Sequence, residues 1–200
     1  MNMKDLKWYK EVVYHVIGGA MEVHKFMGKG LLEPIYQEAL SWELEQRGVY
    51  NRREVMLSVF YKEHELDKRY KIDMLVEEDI IVETKAVNKL LPEHRAQLCN
   101  YLRIANKPIG LLINFGEKSL MGERWAYDKE NNECFLVDKH MNRIYDTNYT
   151  DLFYEWVIKT HKRITLTKEI NETINEEINE KINEQLMIIN VQPREARLQY

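Results

Sequence analysis

Residues 70–86 read YKIDMLVEEDIIVETKA, and this stretch decides how the rest of the chain is interpreted. Apolar and polar side chains alternate on both sides of the acidic residues 77–79, which is typical of two antiparallel strands joined by a short turn. With those three residues in the turn, Val76 lies opposite Ile80 and Met74 lies opposite Val82, and the apolar side chains share one face. The pattern therefore predicts a β-hairpin and its register.

The same register places two carboxylates opposite each other. Asp73 and Glu83 face each other across the hairpin with Cβ atoms about 4.5–5.5 Å apart, and Lys71 and Lys85 lie on the same face. One interpretation is an ordinary solvated face, but apolar side chains share it and a helix has to cover the sheet. Opposed carboxylates destabilise a hairpin unless a cation neutralises them. The arrangement predicts a site for Mg²⁺ or Mn²⁺, with a lysine that positions water and offsets phosphate charge.

The surrounding sequence predicts a mixed α/β domain. Helical periodicity, Pro and Gly positions and stretches of period two predict helices at 5–26, 34–47 and 91–106 and strands at 54–61, 69–76, 80–87 and 109–115. The order is α-α-β-β-β-α-β. The last of these strands, IGLLINF, is an almost entirely apolar run, which suits a central strand that is covered on both faces.

The C-terminal third is predicted as an extension. Residues 125–146 favour two or three edge strands, residues 150–163 favour a helix, and an isoleucine recurs every four residues from Ile170. A four-residue step overshoots a helical turn by about 40°, so the apolar stripe winds around the helix. The repeat is interpreted either as a self-association device or as low-complexity sequence with a solvated acidic face. The predicted division is 1–124, 125–163 and 164–200.

Charge and composition restrict the function classes. The chain of 200 residues carries a formal charge of −4, and residues 1–124 contain 19 residues of each sign. A broad basic surface is therefore excluded, and nucleic-acid contact has to come from a focused groove or from metal ions. No apolar run is long enough for a membrane helix, and the start of the chain resembles no signal peptide, so we expect a cytoplasmic protein with free thiols at Cys99 and Cys134.

These residues carry a resemblance to a known family. Asp73 followed by Glu83-Thr84-Lys85 on the next strand resembles the D…(D/E)-x-K motif of the PD-(D/E)XK nuclease superfamily, and the element order is similar to its restriction-endonuclease-like α-β-β-β-α-β core with a central mixed sheet. The chain departs from the full motif at Ile72, where the superfamily has a proline. The resemblance implies catalytic roles for Asp73, Glu83 and Lys85.

Two further motifs narrow the resemblance. Gln97 and Tyr101 resemble the Q-x-x-x-Y motif of the RecB-type branch, which implies that both side chains reach the scissile region or a phosphate. Gly30, Glu33 and Tyr36 resemble the motif that names the GxxExxY proteins, a small bacterial family, and this match extends over about residues 10–118. It implies that Glu33 joins Asp73 and Glu83 as a metal ligand; Glu38, one turn on, is the alternative.

The implied activity is metal-dependent hydrolysis of phosphodiester bonds, with DNA favoured over RNA. Lys71, Lys89 and Arg95 are the candidate nucleic-acid contacts, because they lie on or just beyond the charged face. A non-catalytic module that binds nucleic acid or protein is the main alternative, since a fold does not fix a function. An assembly scaffold that self-associates through its C-terminal helix is the third hypothesis.

Overall fold

A computed structural model describes residues 5–145. The helices are α1 (Leu6–Met27), α2 (Glu33–Gln46) and α3 (Pro92–Ala105), and the strands are β1 (Asn51–Leu57), β2 (Phe60–Tyr61), β3 (His64–Glu65), β4 (Tyr70–Val76), β5 (Ile80–Lys85), β6 (Ile109–Asn114), β7 (Met121–Asp128) and β8 (Glu133–Val137). The predicted α-β-β-β-α-β core is confirmed. The small β2–β3 hairpin is inserted between its first two strands.

The main sheet is mixed and six-stranded. Its strand order is β1-β4-β5-β6-β7-β8, and β5 and β6 are parallel while the other neighbours are antiparallel. Every residue of β5 and of β6 is buried, because helices cover both faces of these central strands. The apolar run 109–115 is thus a central strand, as predicted.

Helices α1 and α2 share one face of the sheet and α3 packs on the other. The core of the first face joins side chains of both helices, such as Val16 and Leu40, to Val82 and Leu111 of the sheet. On the second face, a Cβ atom at Gly110 would lie only 2.9 Å from a methyl carbon of Leu98. The missing side chain at Gly110 lets α3 lie close to the centre of the sheet.

The register of the 70–86 hairpin is confirmed where the strands pair. Val76 pairs with Ile80 and Met74 pairs with Val82. The ladder ends at that second pair. Asp73 and Glu83 therefore follow the last paired residues instead of forming a regular pair themselves.

The predicted strand at 54–61 was wrong in its extent. β1 ends at Leu57, and Phe60–Tyr61 pairs with His64–Glu65 instead of continuing the sheet. The chain reverses at Lys62, whose φ of 56° lies in the left-handed region that turns use. The alternation of apolar and polar residues that predicted one strand therefore runs through two strands, β1 and β2.

The sheet continues past residue 124. β7 pairs with both β6 and β8, so two further strands join the sheet at or just before the predicted region 125–146, and β8 is the edge strand. The predicted helix 150–163 and the repeat in 164–200 lie outside the described residues. Within residues 5–145, none of the helices has both the length and the apolar character needed to cross a membrane.

Candidate active site

The ends of several strands and the start of a helix meet at one edge of the main sheet. β5 and β6 are parallel and end there at Lys85 and Asn114, and the antiparallel strand β4 begins there at Tyr70. The start of α2 reaches the same edge, since Glu33 Oε1 lies 3.9 Å from Lys85 Nζ. The carboxyl ends of parallel strands are a common place for functional sites, because loops and helix ends converge there.

Asp73 is held by the neighbouring strand. One carboxylate oxygen, Oδ2, accepts hydrogen bonds from the Thr84 backbone N–H at 2.8 Å and from the Thr84 hydroxyl at 2.9 Å. Regular pairing between β4 and β5 has ended by this point, so the side chain takes the place of a strand partner. Two donors fix the position of this half-buried carboxylate.

Glu83 and Lys85 form a buried ion pair on β5. Their side chains are 1% and 10% exposed, and Lys85 Nζ lies 2.5 Å from Glu83 Oε1. Lys85 also donates to the Thr84 carbonyl oxygen at 3.0 Å. The second carboxylate oxygen, Glu83 Oε2, is buried without a hydrogen-bond partner among the described residues. A buried carboxylate oxygen normally has a hydrogen-bond partner, and water or a cation would supply one here.

Burial and the charge of Asp73 make it unfavourable for Glu83 and Glu33 to be ionised. Burial raises the pKa of Glu83 to about 7, and the charge of Asp73 adds to this effect while Lys85 opposes it. Burial also raises the pKa of Glu33, with Lys85 opposing and Asp73 adding. At Lys85 burial disfavours the charged form, but the three carboxylates outweigh it, so the pKa of Lys85 is raised. The predicted repulsion between neighbouring carboxylates is thus present.

The start of α2 is positioned by Tyr36. Its hydroxyl donates to the Gly28 carbonyl oxygen at 2.7 Å and accepts from the Leu31 N–H at 3.2 Å. Its ring stacks on Phe115, with the ring centroids 4.6 Å apart. Gly30 has a φ of 103°, which a side chain would strain. Gly30 and Tyr36 therefore shape the loop that brings Glu33 to the site, whereas Glu38 is exposed and lies 3.6 Å from Arg53.

Helix α3 brings Gln97 and Tyr101 together. Gln97 Nε2 donates to the Tyr101 hydroxyl at 2.8 Å. Burial raises the pKa of Tyr101, the hydrogen bond from Gln97 opposes this, and the charges of Glu83 and Asp73 add to the increase. Tyr101 therefore lies within electrostatic reach of both carboxylates.

The three predicted nucleic-acid contacts differ in exposure and in their partners. Lys71 is exposed and lies 2.6 Å from Glu54 Oε1. Lys89 is exposed in the loop between β5 and α3. Arg95 lies 2.6 Å from Glu123 Oε1 with a side chain only 12% exposed, so it joins α3 to β7. Two of the three cations thus lie beside a glutamate.

Sequence reasoning missed two supporting residues, Thr84 and Asn114. The side chain of Asn114 accepts from the Val87 N–H at 3.0 Å and donates to the Val87 carbonyl oxygen at 2.8 Å, which fixes the chain just after Lys85. A signal was available, because Asn114 is a polar residue inside the apolar run 109–115. No comparable signal distinguished Thr84 from any other strand threonine.

The donor set suits a hard divalent ion with few protein ligands. Across residues 5–145, no group of three or more His, Cys, Asp or Glu side chains is placed to hold a metal ion. Mg²⁺ commonly takes only one or two carboxylates and completes its shell with water and phosphate oxygens. Asp73 and Glu83 fit that requirement, and the unpartnered Glu83 oxygen is the observation that supports it.

The chain is similar to a known protein family. A family model described as the PD-(D/E)XK nuclease superfamily matches residues 10–125. No curated protein matches the chain. Among solved structures, the crystal structure of SSO0001 is similar at 16% identity and a TM-score of 0.39. That match covers 63% of this chain and 57% of the other, so the chain spans less than two thirds of that protein.

Proposed function

Because the chain belongs to the PD-(D/E)XK nuclease superfamily and has a restriction-endonuclease-like fold, we propose that it hydrolyses phosphodiester bonds in nucleic acid. We assign it Mg²⁺ or Mn²⁺ as cofactor and DNA as the preferred substrate. The observation that carries the proposal is the buried Glu83 carboxylate, which stands beside Asp73 and Lys85 with one oxygen unpartnered.

Each side chain at the site has a proposed role. Asp73 and Glu83 would hold the metal ion. Glu33, which was predicted as a third ligand, lies 3.9 Å from Lys85 Nζ and is assigned to holding that lysine, because the described residues form no group of three metal ligands. The bound ion supplies a Lewis acid that lowers the pKa of water and neutralises phosphate charge. Lys85 keeps a positive charge beside the carboxylates and offsets charge on the phosphate. A lone general base contributes only about 10²–10⁴ to a rate, whereas enzymes reach about 10⁶–10¹⁷, which favours metal assistance.

The same proposal includes two assignments to narrower groups within the superfamily. The loop geometry at Gly30 and Tyr36, together with the position of Glu33, supports membership of the GxxExxY proteins. The Gln97–Tyr101 pair beside the carboxylates supports the RecB-type branch and a role for both residues in holding the scissile region. Self-association through the C-terminal repeat is retained as a proposal that the domain's activity does not require.

The test is a cleavage assay with the purified full chain. Labelled single-stranded and duplex DNA and RNA are incubated with Mg²⁺, with Mn²⁺ or with EDTA. We expect cleavage only with metal, and a loss of at least about 100-fold in Asp73→Asn, Glu83→Gln and Lys85→Met.

The matched control is Glu45→Gln, which makes the same change at an exposed position of α2 and should cleave like the unmodified chain. Absence of metal-dependent cleavage on every substrate, or cleavage that survives Glu83→Gln, would contradict the proposal. Binding of nucleic acid without cleavage would favour the non-catalytic module.

A further inference from the structure

A small hairpin projects from the active-site edge of the sheet. The chain leaves the sheet at Leu57, the end of β1, and returns at Tyr70, the start of β4, and these two residues pair with each other. β4 runs antiparallel to β5, so this end of the β1–β4 ladder lies on the same side of the sheet as Lys85. Residues 58–69, called here the aromatic arm, therefore extend from the edge that holds the carboxylates.

The aromatic arm exposes aromatic rings that are not part of a hydrophobic core. All residues from 60 to 70 are exposed, and Phe60 and Tyr61 are 61% and 64% exposed. Neighbouring residues of a strand point to opposite faces, so the arm presents one ring on each face. Adjacent exposed rings on a strand are costly unless they meet a partner.

Aromatic side chains connect the arm to the carboxylates. Tyr70, at the base of the arm, is 43% exposed and makes an edge contact with Tyr101 at 5.4 Å between ring centroids. The charges of Glu83 and Asp73 in turn raise the pKa of Tyr101. The base of the arm therefore contacts a side chain that lies near the carboxylates of the candidate active site.

The charges of the arm favour binding of nucleic acid through base stacking over binding through attraction of its phosphates. Arg69 lies 3.2 Å from Glu65, and Lys71 lies 2.6 Å from Glu54, so acidic partners offset these cations. Lys62 and Lys68 are exposed, and the Lys62 ammonium lies 5.6 Å from the centre of the Tyr61 ring. With few cations beside the rings, base stacking has to supply most of the affinity, and only unpaired bases offer a free face to stack.

We propose that the aromatic arm binds the unpaired bases of a single-stranded nucleic acid and guides its backbone to Asp73 and Glu83. The substrate class is then nucleic acid with a single-stranded region. This inference rests on the proposed nuclease function, and it adds the substrate form and the residues that select it.

The test is the affinity for a fluorescent oligodeoxythymidine strand and for a duplex of equal length, measured by anisotropy in Ca²⁺. The full chain should bind the single strand more tightly than the duplex. The double variant Phe60→Ala/Tyr61→Ala should bind the single strand about ten-fold or more weakly, because one stacked base contributes that much. The ring-conserving variant Phe60→Tyr/Tyr61→Phe should retain the affinity.

Matched controls remove exposed rings elsewhere. Tyr14 and Phe26 on α1 are 75% and 90% exposed, and Tyr14→Ala/Phe26→Ala should leave the affinity unchanged. Equal binding of single strand and duplex would overturn the proposal, as would an arm variant that binds within about two-fold of the unmodified chain, or no single-strand binding at all. Loss of binding in the ring-conserving variant would do the same.

Cleavage by the same proteins separates this inference from the proposed function. If the chain is a nuclease but the arm does not select single strands, cleavage remains sensitive to Glu83→Gln and insensitive to the arm variant. If the chain binds single strands through the arm but is no nuclease, the arm variant loses affinity and no protein cleaves.

Discussion

At Glu83 three effects act on one carboxylate. Burial and the charge of Asp73 favour its protonated form, and the ion pair with Lys85 favours its ionised form. The balance leaves the pKa near 7, so at neutral pH the residue changes charge easily. A divalent cation beside Glu83 would shift this balance towards the ionised carboxylate. The side chain is therefore suited to binding a metal more than to stabilising the metal-free fold.

The pH dependence of stability tests this balance in the metal-free protein. The pKa of Glu83 is raised from 4.5 to about 7, so its contribution to stability is complete below about pH 4.5 and is lost as the pH rises through 7. We expect a loss of about 3 kcal/mol across that window. Urea unfolding in EDTA at a series of pH values should show the loss in the full chain and not in Glu83→Gln.

Glu45→Gln is the control for this series and should keep the pH dependence of the unmodified chain. A stability curve for Glu83→Gln that runs parallel to that of the unmodified chain would mean that Glu83 titrates normally in the folded state.

The grouping of the proposed catalytic residues was predictable because the hairpin register is encoded locally. The alternation of residues 70–86 fixed which side chains share a face, and it brought Asp73, Glu83 and Lys85 together. The ion pair between Glu83 and Lys85 was not predictable from that pattern. It depends on the helices that exclude water from this face, and a β-strand pattern carries no information on how deep the face is buried.

At the scale of elements, the loop before α2 acts as a positioning device. Tyr36 fastens it through a stacked ring and a hydroxyl group that contacts Gly28 and Leu31. The helix then begins at Glu33, with Pro34 in its first turn. The set of Gly30, Glu33 and Tyr36 is therefore largely structural, and only Glu33 of the three faces the charged site.

Removing only the Tyr36 hydroxyl tests this role. Tyr36→Phe keeps the ring on Phe115 but loses the hydrogen bond to the Gly28 carbonyl oxygen, so we expect a loss of about 1 kcal/mol in the free energy of unfolding. Tyr36→Ala also leaves a cavity and should cost about 3–5 kcal/mol. Urea denaturation of the purified proteins measures both.

The exposed Tyr14 provides the control, because Tyr14→Phe removes a hydroxyl that is not buried. Equal stability of Tyr36→Phe and the unmodified chain would show that the hydroxyl does not hold the loop.

Elements were predictable to the extent that periodicity defines them. The helices and central strands followed from spacing, but the end of β1 at Leu57 did not, since alternation continues through Tyr61. The turn at Lys62 closes the β2–β3 hairpin, and β1 and β2 share one alternating pattern. What distinguishes them is pairing with β4, which is a contact between distant parts of the chain.

At the scale of the molecule, a chain with a net charge of −4 presents its cations beside carboxylates. Lys71, Arg69 and Arg95 each lie within ion-pair distance of a glutamate. Binding of a polyanion then depends on the metal ion and on aromatic contacts more than on basic charge. The sequence excluded a broad basic surface, but only the fold showed where the aromatic side chains lie.

Some residues that are distant in the sequence lie close together in the fold, and this could not be predicted from the sequence. Burial and the nearby Cys134 thiol on β8 raise the pKa of Cys99 on α3, although both were predicted only as separate free thiols. The pairing of β8 with β7 brings them together, because Cys134 lies opposite Tyr127 in that ladder. Such contacts follow from the order of strands in the sheet, which local patterns do not encode.

The central claim is that Asp73 and Glu83 form a metal site, and direct titration of the purified chain with Mn²⁺ tests it most directly. Isothermal titration calorimetry should show saturable binding to the full chain and to Glu45→Gln, and loss of that binding in Asp73→Asn and Glu83→Gln. Far-ultraviolet circular dichroism should show the same fold in all four proteins. Mn²⁺ binding that is unchanged in both carboxylate variants would contradict the account.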